Sequence, residues 1–423
     1  MNNNLRFESD EDAQARRRRA EHAGVSYGDA SSHRDKHDRF FRNRRDRVRD
    51  PGYRQIRDDD PEEPSPGRQA GRGRRRGGGC LKPVLTILLL VLVLFGLVYF
   101  SLRLIYGNVE KSSLDYDTLC VTEMDKNMDG YQNIALFGVD NQDNTISDTG
   151  SRTDSIIIAS INKSTKAVKL MSIYRDTYVS INGTYDKINA AYAYGGPEMA
   201  IQTINRNLDL NVEDYATVNF KALADAIDIV GGIELTIKSE KELDNLNDYI
   251  GNMNHINGGN SPEFDEVGTY TFDGNQAVAY SRIRYMEGGD HERANHQRLV
   301  LQGLADKLKS QPWKLASLVR HVLPQCRTSL SEGDLAMLTM SGITMDLEDS
   351  QGYPFHSVDA RYNGIYYGFP LRTSESLNDY SSGVVYNAAL AHRYLFGTEN
   401  YQASEELEKI GQKVKNVTDE LGY

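Results

Sequence analysis

Cysteine is scarce, three residues among 423, so neither a disulfide-rich scaffold nor a cysteine-based zinc site is open to this chain. Cys80 reads as a free thiol beside an apolar run, with lipidation as the lesser option. Cys120 and Cys326 fall in the long C-terminal part, and their pairing stays open because sequence alone sets no distance between them. Also missing are a P-loop, a Gly-x-Ser-x-Gly elbow, a His-Glu-x-x-His pair and any metal-spaced histidine cluster. Those absences remove the commoner NTPase and hydrolase chemistries. Residues 1–79 have few aromatics and almost no apolar periodicity, while Arg16–Arg19 and the Gly/Arg tract Gly71–Gly79 stand among many acids. This segment is expected to be disordered, and acids scattered among its basic residues argue against nucleic-acid binding. It reads either as an arm for anionic lipid heads or a cytoplasmic partner, or as a solvated topogenic tail.

What the chain does have is one long uncharged run, the 19 residues Val84–Leu102. At ~1.5 Å per residue such a helix covers about 28 Å, close to a bilayer core of roughly 30 Å. A cleaved signal peptide fits less well, since its apolar region would be shorter and nearer the N-terminus. Arg72, Arg74, Arg75, Arg76 and Lys82 precede the run, whereas only Arg103 and Lys111 follow closely. The excess of positive charge before the span places the tail in the cytoplasm and the rest outside a cell membrane crossed once. Net charge divides the same way: residues 1–79 carry 20 Lys and Arg against 15 Asp and Glu, leaving 29 against 45 for the remainder. The expected order is a basic tail (1–82), a transmembrane helix (83–106), a stem (107–130), a folded outer domain (131–402) and a polar tail (403–423).

From Tyr131 onward, strand-like and helix-like segments alternate, which predicts a layered α/β core. Asn133–Val139 is a short buried strand ending at Asp140. Ile156–Ile161 and Ala167–Ile173 are β-prone runs joined by a polar turn, Asn162–Thr165, and folding them antiparallel brings Arg152 and Asp154 beside Arg175 and Asp176. Lys187–Leu208 has helical spacing broken by Gly195-Gly196-Pro197. Tyr215–Val218 reads as a strand, Phe220–Ile229 as a helix, Gly232–Ile237 as a strand, and the Asn/Gly/Asp-rich stretch Glu240–Gly268 as a loop or irregular insertion. Asp273-Gly274 opens a helix through Tyr280, after which Ser281–Arg284 is taken as extended, with Arg282 and Arg284 on one side. His291–Leu308 is a helix with Asp290 as its N-cap. Its apolar stripe, Val300, Leu301, Leu304 and Leu308, continues backwards through Gln297 to Arg293. An inward arginine at a helix N-terminus is either half of a buried ion pair or part of an anion site.

These segments resemble the LytR-CpsA-Psr family. The motifs that carry the likeness are GVD (138–140), SRTDSIII (151–158), SIYRDT (172–177), DKINAAYAYGGP (186–197), VGGIEL (230–235), DGNQAVAYSRIR (273–284) and DHERANHQRLVL (290–301). The resemblance implies a mixed β-sheet between helical layers, with a lipid in an apolar groove. It also implies a membrane-anchored phosphotransferase that moves a glycan polymer from a polyprenyl diphosphate carrier onto peptidoglycan. It places Arg152, Arg175, Arg282, Arg284, Arg293 and Gln297 around the diphosphate, and Asp140 and Asp154 on Mg²⁺, with Mn²⁺ as second choice. Arg175, Asp176, Asp290 and Arg293 are then the candidate catalytic residues, Asp176 or Asp290 taking the proton of an attacking sugar hydroxyl or orienting arginines. Two positions depart from the family pattern, Tyr174 where proline is usual and His296 where arginine is usual. A polyprenyl diphosphate phosphatase and a non-catalytic lipid-binding regulator of the envelope are the readings that remain beside transfer.

Overall fold

The computed structural model describes residue 103 and residues 106–423, apart from 108, 113, 123, 124, 140–145, 147, 148, 285, 287, 288, 343, 377 and 378. Asp140, the run Val84–Leu102 and the segment before it lie outside the described residues. Among the described residues no helix is long and apolar enough to cross a membrane.

In chain order, strand β1 (Glu110–Lys111) precedes β2 (Tyr131–Val139), the hairpin β3 (Thr153–Asn162) and β4 (Ala167–Ile173), and a second hairpin, β5 (Tyr178–Ile181) and β6 (Thr184–Lys187). Helix α1 (Ala190–Leu208) leads to β7 (Asp214–Asn219), α2 (Phe220–Val230), β8 (Ile233–Ile237), α3 (Glu240–Asn257), β9 (Gly268–Phe272) and α4 (Gly274–Arg282). Then come α5 (Asp290–Ser310), α6 (Leu315–His321), β10 (Arg327–Thr328), α7 (Glu332–Gly342), β11 (Asp346–Tyr353), the hairpin β12 (Ser357–Tyr362) and β13 (Ile365–Pro370), α8 (Gly383–Phe396) and α9 (Glu405–Leu421).

Seven strands form one sheet in the order β1, β10, β7, β2, β3, β4, β11. It is mixed: β2 runs parallel to β7 and antiparallel to β3, while β11 runs parallel to β4. Side chains alternate across such a sheet. One face, with Phe137, Val139, Ile156, Ile158 and Met171, packs on Ile201 and Leu208 of α1 and Leu395 of α8. On the opposite face Ile157, Ala159 and Leu170 pack with Leu136 and with Leu301 of α5. Helices thus cover both faces of a mixed sheet, the layered arrangement expected from the sequence.

The broken helix behaves as its glycines demand. Gly195 and Gly196 leave helical dihedrals inside α1, and Gly196 takes φ of 68°, which a residue without Cβ adopts freely. At Gly274 the reason is space rather than φ: a Cβ there would stand 2.3 Å from the Ala224 carbonyl oxygen, so glycine lets α4 meet α2.

Four expectations are corrected. Glu240–Asn257 is a helix, capped by Ser239 and burying Leu243, Leu246, Ile250 and Met253 on one face. The C-terminal residues 405–421 form α9, which buries Leu407, Ile410 and Val414, rather than a polar tail. The stem is part of the core, since Leu114, Leu119 and Met128 are buried there and β1 extends the sheet. Asp290 does not cap α5. Gly289 occupies the cap position, and the Asp290 carboxylate turns to Arg175 and Arg293 instead. The open question of pairing resolves to two free thiols: Cys326 is buried, which pushes its thiol up to about 12, and Cys120 receives an Arg206 Nε–H at 3.1 Å.

Candidate active site

Between the sheet and helices α2, α5 and α6 lies an open cavity of about 280 Å³. Its walls are apolar: Leu136, Ile157, Ala216 and Val218 from the sheet, Leu223 and Ala226 from α2, Leu301 and Leu304 from α5, and Leu318 from α6. Asp154, Arg282, Arg284, Arg293 and Gln297 also line it. The site is therefore amphiphilic, with a hydrocarbon-like wall and a set of cations.

Asp154, the second residue of β3, is the hub of the charged part. Its Oδ1 accepts from Arg175 Nη1 at 2.7 Å, and its Oδ2 from Arg284 Nη2 at 2.9 Å. Arg293 Nη1 stands 4.0 Å from Oδ1, and Gln297 Nε2 donates to the Asp154 carbonyl at 3.3 Å. Burial disfavours the charged carboxylate, but Arg293, Arg175 and Arg284 outweigh it and hold Asp154 below the usual carboxylate range. Asp290 bridges Arg175 Nε, at 3.1 Å, and Arg293 Nη2. Arg175 thus sits between two carboxylates at the end of β4, and its guanidinium is held above its ordinary value by Asp290 and Asp154 despite desolvation.

Arg293 shows most about the ligand. Its side chain is 3% exposed, yet Nε and Nη1 have no hydrogen-bond partner among the described residues. Burial weakens the charged form of this guanidinium, and the neighbouring cations Arg175 and Arg284 add to that while Asp290 opposes it. Three guanidiniums against two carboxylates leave positive charge and spare donors at a cavity wall, the condition for binding an anion rather than for a closed ion-pair network. Of the two sequence readings for Arg293, half of an ion pair or part of an anion site, the geometry contains the first and leaves room for the second.

The other candidates divide. Asp176 lies 3.9 Å from Arg175 Nε and 2.9 Å from Lys187 Nζ. Arg282 and Arg284 do not lie side by side on an extended segment. Arg282 ends α4, donates to Asn252 Oδ1 at 2.7 Å and stacks 4.5 Å over Phe220, whereas Arg284 reaches Asp154. Arg152 is exposed and does not line the cavity. His296 points away from the site, its Nε2 3.0 Å from Glu242 in a buried pair under Tyr280. Tyr174 stacks on His291 at 4.0 Å. Lys187, which anchors Asp176, was missed in the sequence although it stands in the DKINA motif. Asn252 was missed with its helix, α3.

The family profile of LytR_cpsA_psr matches residues 104–376, more than half of the chain. The chain belongs to the LytR-CpsA-Psr family. A polyisoprenyl-teichoic acid–peptidoglycan teichoic acid transferase TagU from Enterococcus faecalis is 30% identical over 261 residues, 59% of this chain and 80% of that protein. The TagU of Bacillus subtilis is 29% identical over 311 residues, 70% of this chain and 92% of its own length. Among solved structures, TagT bound to LI-WTA superimposes with a TM-score of 0.51 at 25% identity, covering 68% of this chain and all of that one.

Proposed function

We propose that this LytR-CpsA-Psr member is a phosphotransferase that attaches a glycan polymer, carried on a polyprenyl diphosphate, to peptidoglycan. The observation that carries the reading is the apolar cavity that also holds Arg293, a buried arginine with unpaired donors. A polyprenyl chain suits the walls, and a diphosphate suits the guanidiniums, whose forked donors match phosphate oxygens in pairs. The names of the TagU relatives, which pair a polyisoprenyl carrier with peptidoglycan, support it.

In the transfer, a sugar hydroxyl of the acceptor attacks the phosphorus that bears the glycan. A new P–O bond forms, the bond to the second phosphate breaks, and polyprenyl monophosphate leaves. Arg175, Arg284 and Arg293 bind the phosphate oxygens and stabilise the charge that develops there. Asp290 is committed to two guanidiniums and orients them. Asp176, shared with Lys187 and farther from Arg175, is the better placed of the two to take the hydroxyl proton. Among the described residues no three His, Cys, Asp or Glu side chains form a metal cage. Asp154 still fits Mg²⁺, a hard ion commonly held by one or two carboxylates together with phosphates and water. Each of its oxygens has one guanidinium donor and keeps acceptor capacity. Asp154 and Asp140 would hold the ion, which would neutralise phosphate charge.

Filling the cavity tests the donor. Ala216→Trp should weaken binding of a polyprenyl diphosphate at least about tenfold by occupying the lipid's place, while a tail-free organic diphosphate binds as in the parent. Equal weakening of both ligands would mean that the apolar wall does not hold the lipid. For topology, we propose that Val84–Leu102 anchors the chain with the domain outside. Protease added to intact protoplasts should then remove the domain and spare the tail, and the reverse pattern would contradict it.

A further inference from the structure

Tyr194 stands just before the Gly195–Gly196 break in α1, and its ring is 57% exposed. Its hydroxyl donates to Asp186 Oδ2 at 2.5 Å. The same carboxylate engages the phenol of Tyr367, and the Lys187 ammonium lies 5.9 Å from the centre of the Tyr367 ring. Lys187 also holds Asp176, the residue that follows Arg175. Strand β13 is pinned at this place because Gly368 N–H donates to the Asp176 carbonyl at 2.9 Å. Arg152 is exposed and outside the cavity lining, and its charge acts on the Tyr194 and Tyr367 phenols. None of these residues lines the apolar cavity. The result is a shelf of one exposed ring, two carboxylates and two cations, which begins at Asp176 beside Arg175.

We propose that this shelf is the acceptor subsite: a pyranose of the acceptor glycan stacks on Tyr194 and hydrogen-bonds to Asp186 and Lys187, which brings a neighbouring hydroxyl toward Asp176. The proposal rests on the transfer reading above and adds where the second substrate sits. A pyranose has an apolar C–H face and a rim of hydroxyls, so it asks for a flat ring with acceptors and donors around it. The shelf supplies both, whereas the spare donors of the cavity are guanidinium groups set against hydrocarbon walls. A membrane surface fits the shelf less well, since Asp176 and Asp186 would face anionic headgroups.

The test uses the full-length protein in nanodiscs, without donor, titrated with soluble uncrosslinked peptidoglycan glycan strands. Tyr194→Ala should raise the Kd for the strands about tenfold, roughly 1.4 kcal/mol, and raise the acceptor KM in the transfer assay by a similar factor while donor Kd stays at the parent value. Tyr194→Phe keeps the ring and should bind strands within about twofold of the parent. Asp186→Asn should weaken strand binding in the same direction as Tyr194→Ala. A parental Kd for strands in both Tyr194→Ala and Asp186→Asn overturns the subsite, as does a loss confined to binding of phosphatidylglycerol vesicles. Strand binding that depends on Tyr194 in a protein that transfers nothing would leave the subsite standing and refute the transfer reading instead.

Discussion

Replacing Arg175 by lysine should lower transfer by about a hundredfold or more while leaving the melting temperature nearly unchanged. Arg175 does three things at once: Nη1 meets Asp154 at 2.7 Å, Nε meets Asp290 at 3.1 Å, and Asp176 stands 3.9 Å from Nε. A guanidinium spans these carboxylates and keeps further donors for phosphate because it is a planar fork. An ammonium retains the charge but is a point, so it satisfies one carboxylate and releases the other. Since the charge persists and the side chain is only partly buried, stability should change little, whereas geometry at the phosphate is lost. Transfer is read from product formation at saturating donor and stability from thermal unfolding. Near-parental turnover in Arg175→Lys would make Arg175 an ion-pair partner without a role at phosphate.

Asparagine at Asp154 is expected to act more widely, since that carboxylate is the common partner of Arg175 and Arg284 and lies near Arg293. Removing its charge leaves three cations close together in a partly buried place, and their mutual repulsion should splay the fork that meets the phosphates. If Asp154 also holds Mg²⁺ together with Asp140, then adding Asp140→Asn to Asp154→Asn should cost little beyond the Asp154→Asn loss, of order 10³, rather than multiply it. Donor binding offers a readout independent of turnover. In the parent it should tighten with added Mg²⁺, and in either single variant that dependence should be nearly gone. Losses that simply multiply, or EDTA that leaves parental turnover intact, would refute the shared ion.

Much of this architecture was legible because its information is local. The hairpin of β3 and β4 follows from two alternating runs and a polar turn, and its register alone sets Asp154 beside Arg175. Arg293 and Gln297 were read onto the inward face of α5 from the spacing of Val300, Leu301 and Leu304, and both line the cavity. Helix α3 was lost to its asparagines and glycine, although Leu243, Leu246, Ile250 and Met253 recur at helical intervals and Ser239 with Glu242 signals the start. The same weighting of polarity over period hid α9, where Ser404 caps a stripe of Leu407, Ile410 and Val414. What no local pattern carries is the partner of a long side chain. Arg282 and Arg284 are two apart in sequence yet bind Asn252 and Asp154, because α4 ends at Arg282 and Arg284 lies beyond its C-cap, Ile283. His296 likewise sits beside cavity-lining Gln297 in sequence but meets Glu242 of α3.

Reconstitution measures transfer most directly. The full-length protein in nanodiscs is incubated with a polyprenyl diphosphate glycan, Mg²⁺ and peptidoglycan, and the digested wall is examined by mass spectrometry. The expected product is a glycan joined to a wall sugar through one phosphodiester, with polyprenyl monophosphate released in equal amount and Arg175→Lys forming at most about a hundredth as much. Release of polyprenyl monophosphate together with free glycan phosphate, and no wall-linked product, would contradict it and make the protein a diphosphatase.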